Sequence, residues 1–171
     1  EKCEVIRIAV ETLKGKIPVI AGTGSNSTSQ AIKNSVNAEK LGADALLVVT
    51  PYYNKAMQDG LIAHYNAIAD SVNIPIICYN VPGRTGVNIL PKTFKAICQH
   101  KNIRAIKEAS GNMEQIQEVL RLVGGKAQVF SGDDGLTVPT LAMGGDGIIS
   151  VASNIVPRFI SDMCKAFFEG D

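Results

Sequence analysis

The sequence has no run of lysines or arginines and no Cys-x-x-Cys pair. It also has no uninterrupted apolar stretch approaching the roughly 18 residues that a membrane span requires. Each absence removes a class of function. With 17 Lys+Arg against 16 Asp+Glu the formal net charge is +1, so no electrostatic footprint is laid out for nucleic acid or for an anionic membrane surface. Glu1-Lys2-Cys3-Glu4 does not read as the start of a secretory signal, and a cytoplasmic protein is expected. Without a secretory setting, the Asn26-Ser27-Thr28 glycosylation pattern carries no weight. The four cysteines (Cys3, Cys78, Cys98, Cys164) are irregularly spaced, and no histidine stands close enough to complete a zinc pattern. They are expected to be reduced, with the three inside apolar segments acting as small hydrophobes.

What is present is apolar residue: 46% of 171 positions are hydrophobic and 19% charged, which excludes disorder and predicts a single globular domain. Segments rich in Ile and Val recur, each ending in Gly, Asn, Ser, Thr or Asp and each followed by a helix-like stretch. They begin near Ile17, Asp44, Ile74, Ile103, Ala127 and Gly147, at offsets of 27, 30, 29, 24 and 20 residues, the length of a βα unit. Because the segments are apolar throughout instead of alternating, they predict a parallel sheet covered by helices. Helix signals lie between them. Asn112 precedes the stripe Met113, Ile116, Leu120, Val123 and is followed by Gly124-Gly125 at its end. Leu61, Ile62, Tyr65, Ile68 and Ala69 form a second stripe, Pro91 and Pro157 suit first turns, and Gly42 and Gly170 suit helix ends. Six such units fit either a doubly wound sheet or part of a (β/α)8 barrel, and periodicity does not choose.

In both architectures function lies at the C-terminal ends of the strands. Lys107 ends the segment containing Ile103, Ala105 and Ile106, and strict alternation places it on the face of Ile103 and Ala105. Turned into a barrel interior, its ammonium would be desolvated and its pKa depressed, the condition for a lysine that attacks carbonyls. The alternatives are a lysine snorkelling to water or one paired with Glu108. Tyr79 ends its own segment one repeat earlier; its phenol could pass protons, or simply pack in the core. Arg84 follows the turn dipeptide Pro82-Gly83, where a guanidinium could receive a carboxylate or stay solvated. Gly22-Thr23-Gly24 could cradle an anion, but Ser27 stands where the dinucleotide fingerprint needs its third glycine, so a Rossmann cofactor site is rejected. Asp133-Asp134 is read as a helix cap in preference to a cation site, and His64 and His100 as packing or surface residues of helices.

Taken together, the motifs IPVIAGTGSN, LLVVTPYYNK, PIICYNVPGRTGVNI, IKEASGN, SGDD and GIISVASN resemble the superfamily of dihydrodipicolinate synthase and N-acetylneuraminate lyase, the pyruvate-dependent class I aldolases, in order and approximate spacing across the whole chain. The stretch Tyr79 to Gly86 is similar to the synthase branch, because the lyase branch lacks an arginine where Arg84 stands. The resemblance implies a (β/α)8 TIM barrel of which about six of eight units are present, as one incomplete catalytic domain over residues 1–171. It implies that Lys107 forms a Schiff base with pyruvate, that Tyr79 relays protons, and that Tyr53 is lent across a subunit interface to complete the relay. It further implies that Arg84 receives the carboxylate of aspartate semialdehyde, with Ile149 and Gly132 lining the pyruvate pocket. No metal or organic cofactor is implied; the partners are the two small substrates and further copies of the chain, in a dimer-of-dimers tetramer of lysine and diaminopimelate biosynthesis.

The family's two N-terminal strands, its Gly-Thr-Thr-Gly-Glu loop and its C-terminal helical extension have no counterpart here, and a barrel of about 250 residues is not completed by 171. The expectation is a fragment with two free sheet edges, inactive in the full reaction unless another chain supplies the rest. A noncatalytic module and another pyruvate aldolase acting on a sugar acid are the alternatives. In lysine-inhibited members the effector site includes positions matched by Asn26 and Tyr52; Gln30 replaces the glutamate that would pair with the effector's amine.

Overall fold

The structure, a computed structural model, describes residues 1–170. In chain order its elements are α1 (Lys2–Leu13), β1 (Ile20–Gly22), α2 (Thr28–Lys40), β2 (Ala45–Val49), α3 (Gln58–Asp70), β3 (Ile76–Asn80), α4 (Pro82–Thr85), α5 (Pro91–Ile97), β4 (Ile103–Glu108), α6 (Met113–Val123), β5 (Gln128–Ser131), α7 (Thr137–Ala142), β6 (Gly147–Ile148) and α8 (Pro157–Glu169). Single 3-10 turns at Asp134–Leu136 and Ala152–Asn154 follow β5 and β6. The strands form one parallel sheet in the order β1-β2-β3-β4-β5-β6, curled into part of a (β/α)8 barrel.

Local chemistry explains the boundaries. Asn112 accepts from the Gln115 N–H at the start of α6, and Gly124 ends that helix in the left-handed region (φ 52°). Such a cap contributes about 1 kcal/mol. Pro91 and Pro157 open α5 and α8, where the missing N–H costs nothing. Asp44 and Asp146, each just ahead of a strand, accept from the N–H of Val19 and Val129 in the preceding unit (2.7 Å each), which repeats one stitch at two places in the sheet.

The core lies between the sheet and its helices. Leu46, Val48, Ile76, Cys78, Ile103, Ile106 and Val129 face outward onto Leu61, Tyr65, Ile68, Phe94, Ile97 and Val119. Tyr65 is wholly buried and donates its hydroxyl to the Val48 carbonyl (3.0 Å). The other face carries Leu47, Val49, Ile77, Tyr79, Ala105 and Lys107 on the concave wall. Among the described residues β1 and β6 each pair on one side only, so the wall is open between them.

Four expectations need correction. Lys107 does not share a face with Ile103: the register between β3 and β4 shifts at Ile76/Ile77, which pair with Ile103 and Ala105, so Arg104 is the extra residue and Ile103 turns outward to the core. An inserted residue flips everything before it to the other face. Pro82-Gly83 opens the one-turn helix α4 instead of a plain turn, because Pro82 suits its first position and Gly86 ends it with φ 71°. His100 lies just past α5, not within it, since that helix ends at Ile97. Strands β1 and β3 begin at Ile20 and Ile76, later than the apolar segments, because Pro18 and Pro75 offer no N–H at the strand entrance. Helix α1, which buries no residue, has no counterpart in the sequence reading.

Candidate functional site

The C-terminal ends of β3 and β4 bring Tyr79 and Lys107 together. They are direct register partners, and the row continues from Val49 on β2 through Tyr79 and Lys107 to Phe130 on β5 and Gly147 on β6. Lys107 is only 7% exposed, so it does not snorkel, and its Nζ stands 4.3 Å from the centroid of the Tyr79 ring. A ring face accommodates an ammonium and leaves its lone pair accessible once a proton departs. Burial holds the Lys107 amine below the ordinary lysine range; Asp134 pulls in the opposite direction and Arg84 adds to the lowering. Lys107 makes no ion pair with Glu108, whose side chain points to the opposite face.

Two glycines set how closely the backbones approach. A Cβ on Gly132 would lie 2.7 Å from Ala109 Cβ and 2.9 Å from Lys107 Cε, so the bare α-carbon makes room for the lysine stem. A Cβ on Gly24 would meet Val49 N at 2.6 Å. The Gly22-Thr23-Gly24 loop is thus a packing device against β2, with Thr23 buried and accepting from the Ser35 hydroxyl (2.9 Å).

Around Tyr79 a cavity of about 380 Å³ is lined by Gly22, Gly24, Tyr52, Val81, Arg84 and Thr85, among others. Its walls are mainly apolar carbon, and Arg84 is exposed at its edge. Tyr53 is not in it: the side chain is 88% exposed and the backbone adopts φ 73°, with the N–H donated to Thr85 O (3.2 Å). A positive φ is uncommon for an aromatic residue. Ile149 is half-buried after β6, its N–H on Ser131 O (2.9 Å). Asn26 offers its carbonyl to Asn54 Nδ2 (2.8 Å), and Gln30 donates to Asn34 Oδ1 (2.7 Å).

Asp133 accepts from Gly135 N (3.2 Å) and so caps the 3-10 turn, as expected of it. Asp134 does something the cap reading missed. Its carboxylate takes the Ser150 hydroxyl and the N–H groups of Val151 (3.2 Å) and Ala152 (3.1 Å), and these donors hold it below the usual carboxylate range. It ties the end of β5 to the loop after β6 and places a fixed negative charge toward Lys107. The signal was present as an aspartate two residues beyond Gly132 at a strand end, but two adjacent aspartates do not say which one caps.

His64 is buried in α3 and pairs Nδ1 with the Thr28 hydroxyl (2.9 Å), while His100 Nε2 meets Asp70 (3.1 Å). Neither reaches Lys107 or the cavity. Among the described residues no three His, Cys, Asp or Glu side chains cluster as metal ligands, and no helix is long and apolar enough to cross a membrane. The cysteines are unpaired, and burial pushes the Cys78 thiol well up.

The buried Lys107, its amine over the Tyr79 ring, thus stands at the C-terminal strand ends of a (β/α)8-type sheet, next to a cavity that Tyr79 lines and Arg84 edges. The chain belongs to the dihydrodipicolinate synthetase family, whose model matches residues 1–171. It is 54% identical over 171 residues to the 4-hydroxy-tetrahydrodipicolinate synthase of Geobacter sulfurreducens, covering 100% of this chain and 59% of that one. The enzyme of the same name from Geotalea uraniireducens is 55% identical over 170 residues, with 99% and 59% covered. The crystal structure of dihydrodipicolinate synthase from Aquifex aeolicus superposes with a TM-score of 0.97 at 45% identity, covering 99% of this chain and 58% of that one. The chain thus spans about three-fifths of the length of these relatives.

Proposed function

We propose that this chain carries the carbonyl-activating half of a 4-hydroxy-tetrahydrodipicolinate synthase, condensing pyruvate with L-aspartate 4-semialdehyde on the route to diaminopimelate and lysine in the cytoplasm. The observation that carries the reading is the buried Lys107 amine over the Tyr79 ring.

The neutral Lys107 Nζ adds its lone pair to the ketone carbon of pyruvate, and the carbinolamine loses water to give the imine. Tyr79 is the group placed to hand a proton to the departing hydroxyl and to take it back. Loss of a methyl proton gives the enamine, whose carbon attacks the aldehyde carbon of the semialdehyde; the new alkoxide takes a proton. The amine of the second substrate then adds to the imine carbon, closes the ring and expels the Lys107 amine, so the lysine is regenerated. Arg84 receives the semialdehyde carboxylate at the cavity edge, Gly132 and Ile149 bound the pyruvate side, and Tyr53 serves a neighbouring copy in a homo-oligomer, a tetramer in the intact enzyme. Residues 1–171 act as one catalytic domain, with pyruvate bound covalently as substrate and no separate cofactor. Of the effector positions, Asn26 and Tyr52 are retained, while Gln30 supplies no carboxylate for an amine.

The gap between β1 and β6 supports a second reading for the condensation step. On that reading the wall that holds Lys107 carries imine formation and leaves the condensation incomplete.

Exchange of the pyruvate methyl protons in deuterated water, followed by NMR, tests the reading without the second substrate. Exchange catalysed by the chain and abolished in Lys107→Ala is the expected result. Consumption of aspartate semialdehyde then separates this reaction from a sugar-acid aldolase, since Arg84→Ala should cripple that step more than the exchange. A folded chain that catalyses no exchange would defeat the proposal.

A further inference from the structure

Directly behind the Tyr79–Lys107 pair, on the helix-facing side of the sheet, lies the next register pair, Asn80 and Glu108. Both are buried: Glu108 is 1% exposed and Asn80 is 0% exposed. Among the described residues no lysine, arginine or histidine pairs with this carboxylate. It accepts instead from Asn80 Nδ2 (3.1 and 3.0 Å), Ser110 N (2.8 Å) and Gln115 Nε2 (3.2 Å).

The orientation of every amide in this cluster is fixed in sequence. The Ile89 N–H donates to Asn80 Oδ1 (2.9 Å), so the Asn80 NH2 must face Glu108 and Asn88 Oδ1 (2.8 Å). Asn88 then donates to Gln115 Oε1 (2.8 Å), which leaves the Gln115 NH2 for Asn88 Oδ1 (3.0 Å) and Glu108. One backbone N–H thus sets the polarity of the cluster, and Glu108 is its terminal acceptor. Burial pushes the Glu108 carboxyl up, and the surrounding donors pull it back. A buried carboxylate held by neutral donors alone is costly, and such a group needs a reason.

The reason lies in the strand register. The extra residue at Arg104 means that β4 already departs from regular pairing with β3, three residues before Lys107. A slip of one residue would turn Lys107 to the helix side and Glu108 into the cavity. We propose that Glu108, clamped by Asn80, is a positioning residue for Lys107: it fixes the β3–β4 register at the strand ends so that the amine stays over the Tyr79 ring. This inference rests on the assignment of Lys107 as the imine-forming lysine.

The test is a polarity swap in the full 171-residue chain. Glu108→Gln adds a donor to a cluster already filled with them, so one donor must face another. Asn80→Asp sets two carboxylates in contact. In the double variant the new amide on β4 donates to the new carboxylate on β3 and, once the amides of Asn88 and Gln115 turn over, each contact but one again has a donor and an acceptor; the exception is the 3.1 Å contact, where the new amide's oxygen, held by the Ser110 N–H, faces the new carboxylate. Two readouts are taken on each folded variant: borohydride trapping of pyruvate on Lys107, and trace labelling of lysines by acetic anhydride relative to the exposed Lys95.

Each single variant is expected to keep a cooperative melt and to trap pyruvate about a hundredfold more slowly, as displacement of a reacting group by an ångström can cause. Lys107 should then label like Lys95, and the double variant should recover both wild-type values. Folded single variants with wild-type labelling and trapping would overturn the inference. So would a double variant no better than the worse single, or single variants that lose the fold, which would make the cluster a stability element. If the wild-type chain traps no pyruvate, the imine assignment fails, while acetic anhydride still reads whether the clamp places Lys107.

Discussion

Lys107 Nζ stands 4.3 Å from the centroid of the Tyr79 ring, and the two residues are direct register partners on neighbouring parallel strands. The pairing predicts distinct outcomes for the two side chains. Tyr79→Phe keeps the ring under the amine but loses the hydroxyl. It should retain the melting temperature while slowing methyl-proton exchange by about 10²-fold, the usual worth of a positioned proton donor. Lys107→Ala should abolish exchange altogether. Wild-type exchange in Tyr79→Phe would deny the tyrosine a proton-transfer role.

The charges around Lys107 predict how its pH profile moves. Attack on a carbonyl needs the neutral amine, so exchange should rise with pH through the Lys107 pKa, which burial lowers. Arg84 adds to the lowering, so Arg84→Ala should move the profile to higher pH. Asp134 raises the amine's proton affinity, so Asp134→Asn should move it to lower pH. Opposite displacements in the pH dependence of exchange are the expected result; shifts of the same sign would contradict it.

Gly132 leaves too little room for a side chain. A methyl group there would lie 2.9 Å from Lys107 Cε and 2.7 Å from Ala109 Cβ. Gly132→Ala should therefore reduce exchange by about 10²-fold through displacement of the amine. The same substitution at the exposed Gly83, where a Cβ meets nothing within 4 Å, should leave the melting temperature unchanged.

These residues also show how far the sequence could be read. The recurring Ile/Val segments gave the parallel sheet because strands buried on both faces are apolar throughout. They placed Lys107 and Tyr79 at strand ends, where the structure finds them. The extra residue at Arg104 was not legible: a bulge leaves no mark in an apolar run, and period-two counting across it put Ile103 on the wrong face. The separation of Lys107 from Glu108 follows from alternation alone, which sets adjacent strand residues on opposite sides of the sheet. Which of Asp133 and Asp134 caps depended on a contact with Ser150, sixteen residues away. Helix α1 escaped because its hold on the core is slight: Ile6 packs against it partly buried, and no residue of the helix is fully buried.

His64 predicts an acid limit to stability. Burial holds its imidazole below the ordinary value of 6.5, so between the two values the unfolded chain binds more protons than the folded one. Stability present above about pH 6.5 is then lost as the pH falls through that window. Its Nε2 is buried without a partner, so His64→Leu removes the titrating group without orphaning an acceptor at that atom. Thermal melts from about pH 7.5 to about pH 5 should fall more steeply for the wild type than for the variant; parallel curves would show that another group sets the limit.

Borohydride reduction in the presence of pyruvate, followed by intact mass and peptide mapping, tests the assignment of Lys107 most directly. One reduced pyruvate on Lys107, and on none of the other lysines, is the expected outcome. A folded chain with no adduct, or with the adduct spread over surface lysines, would contradict the assignment of Lys107 as the carbonyl-activating amine.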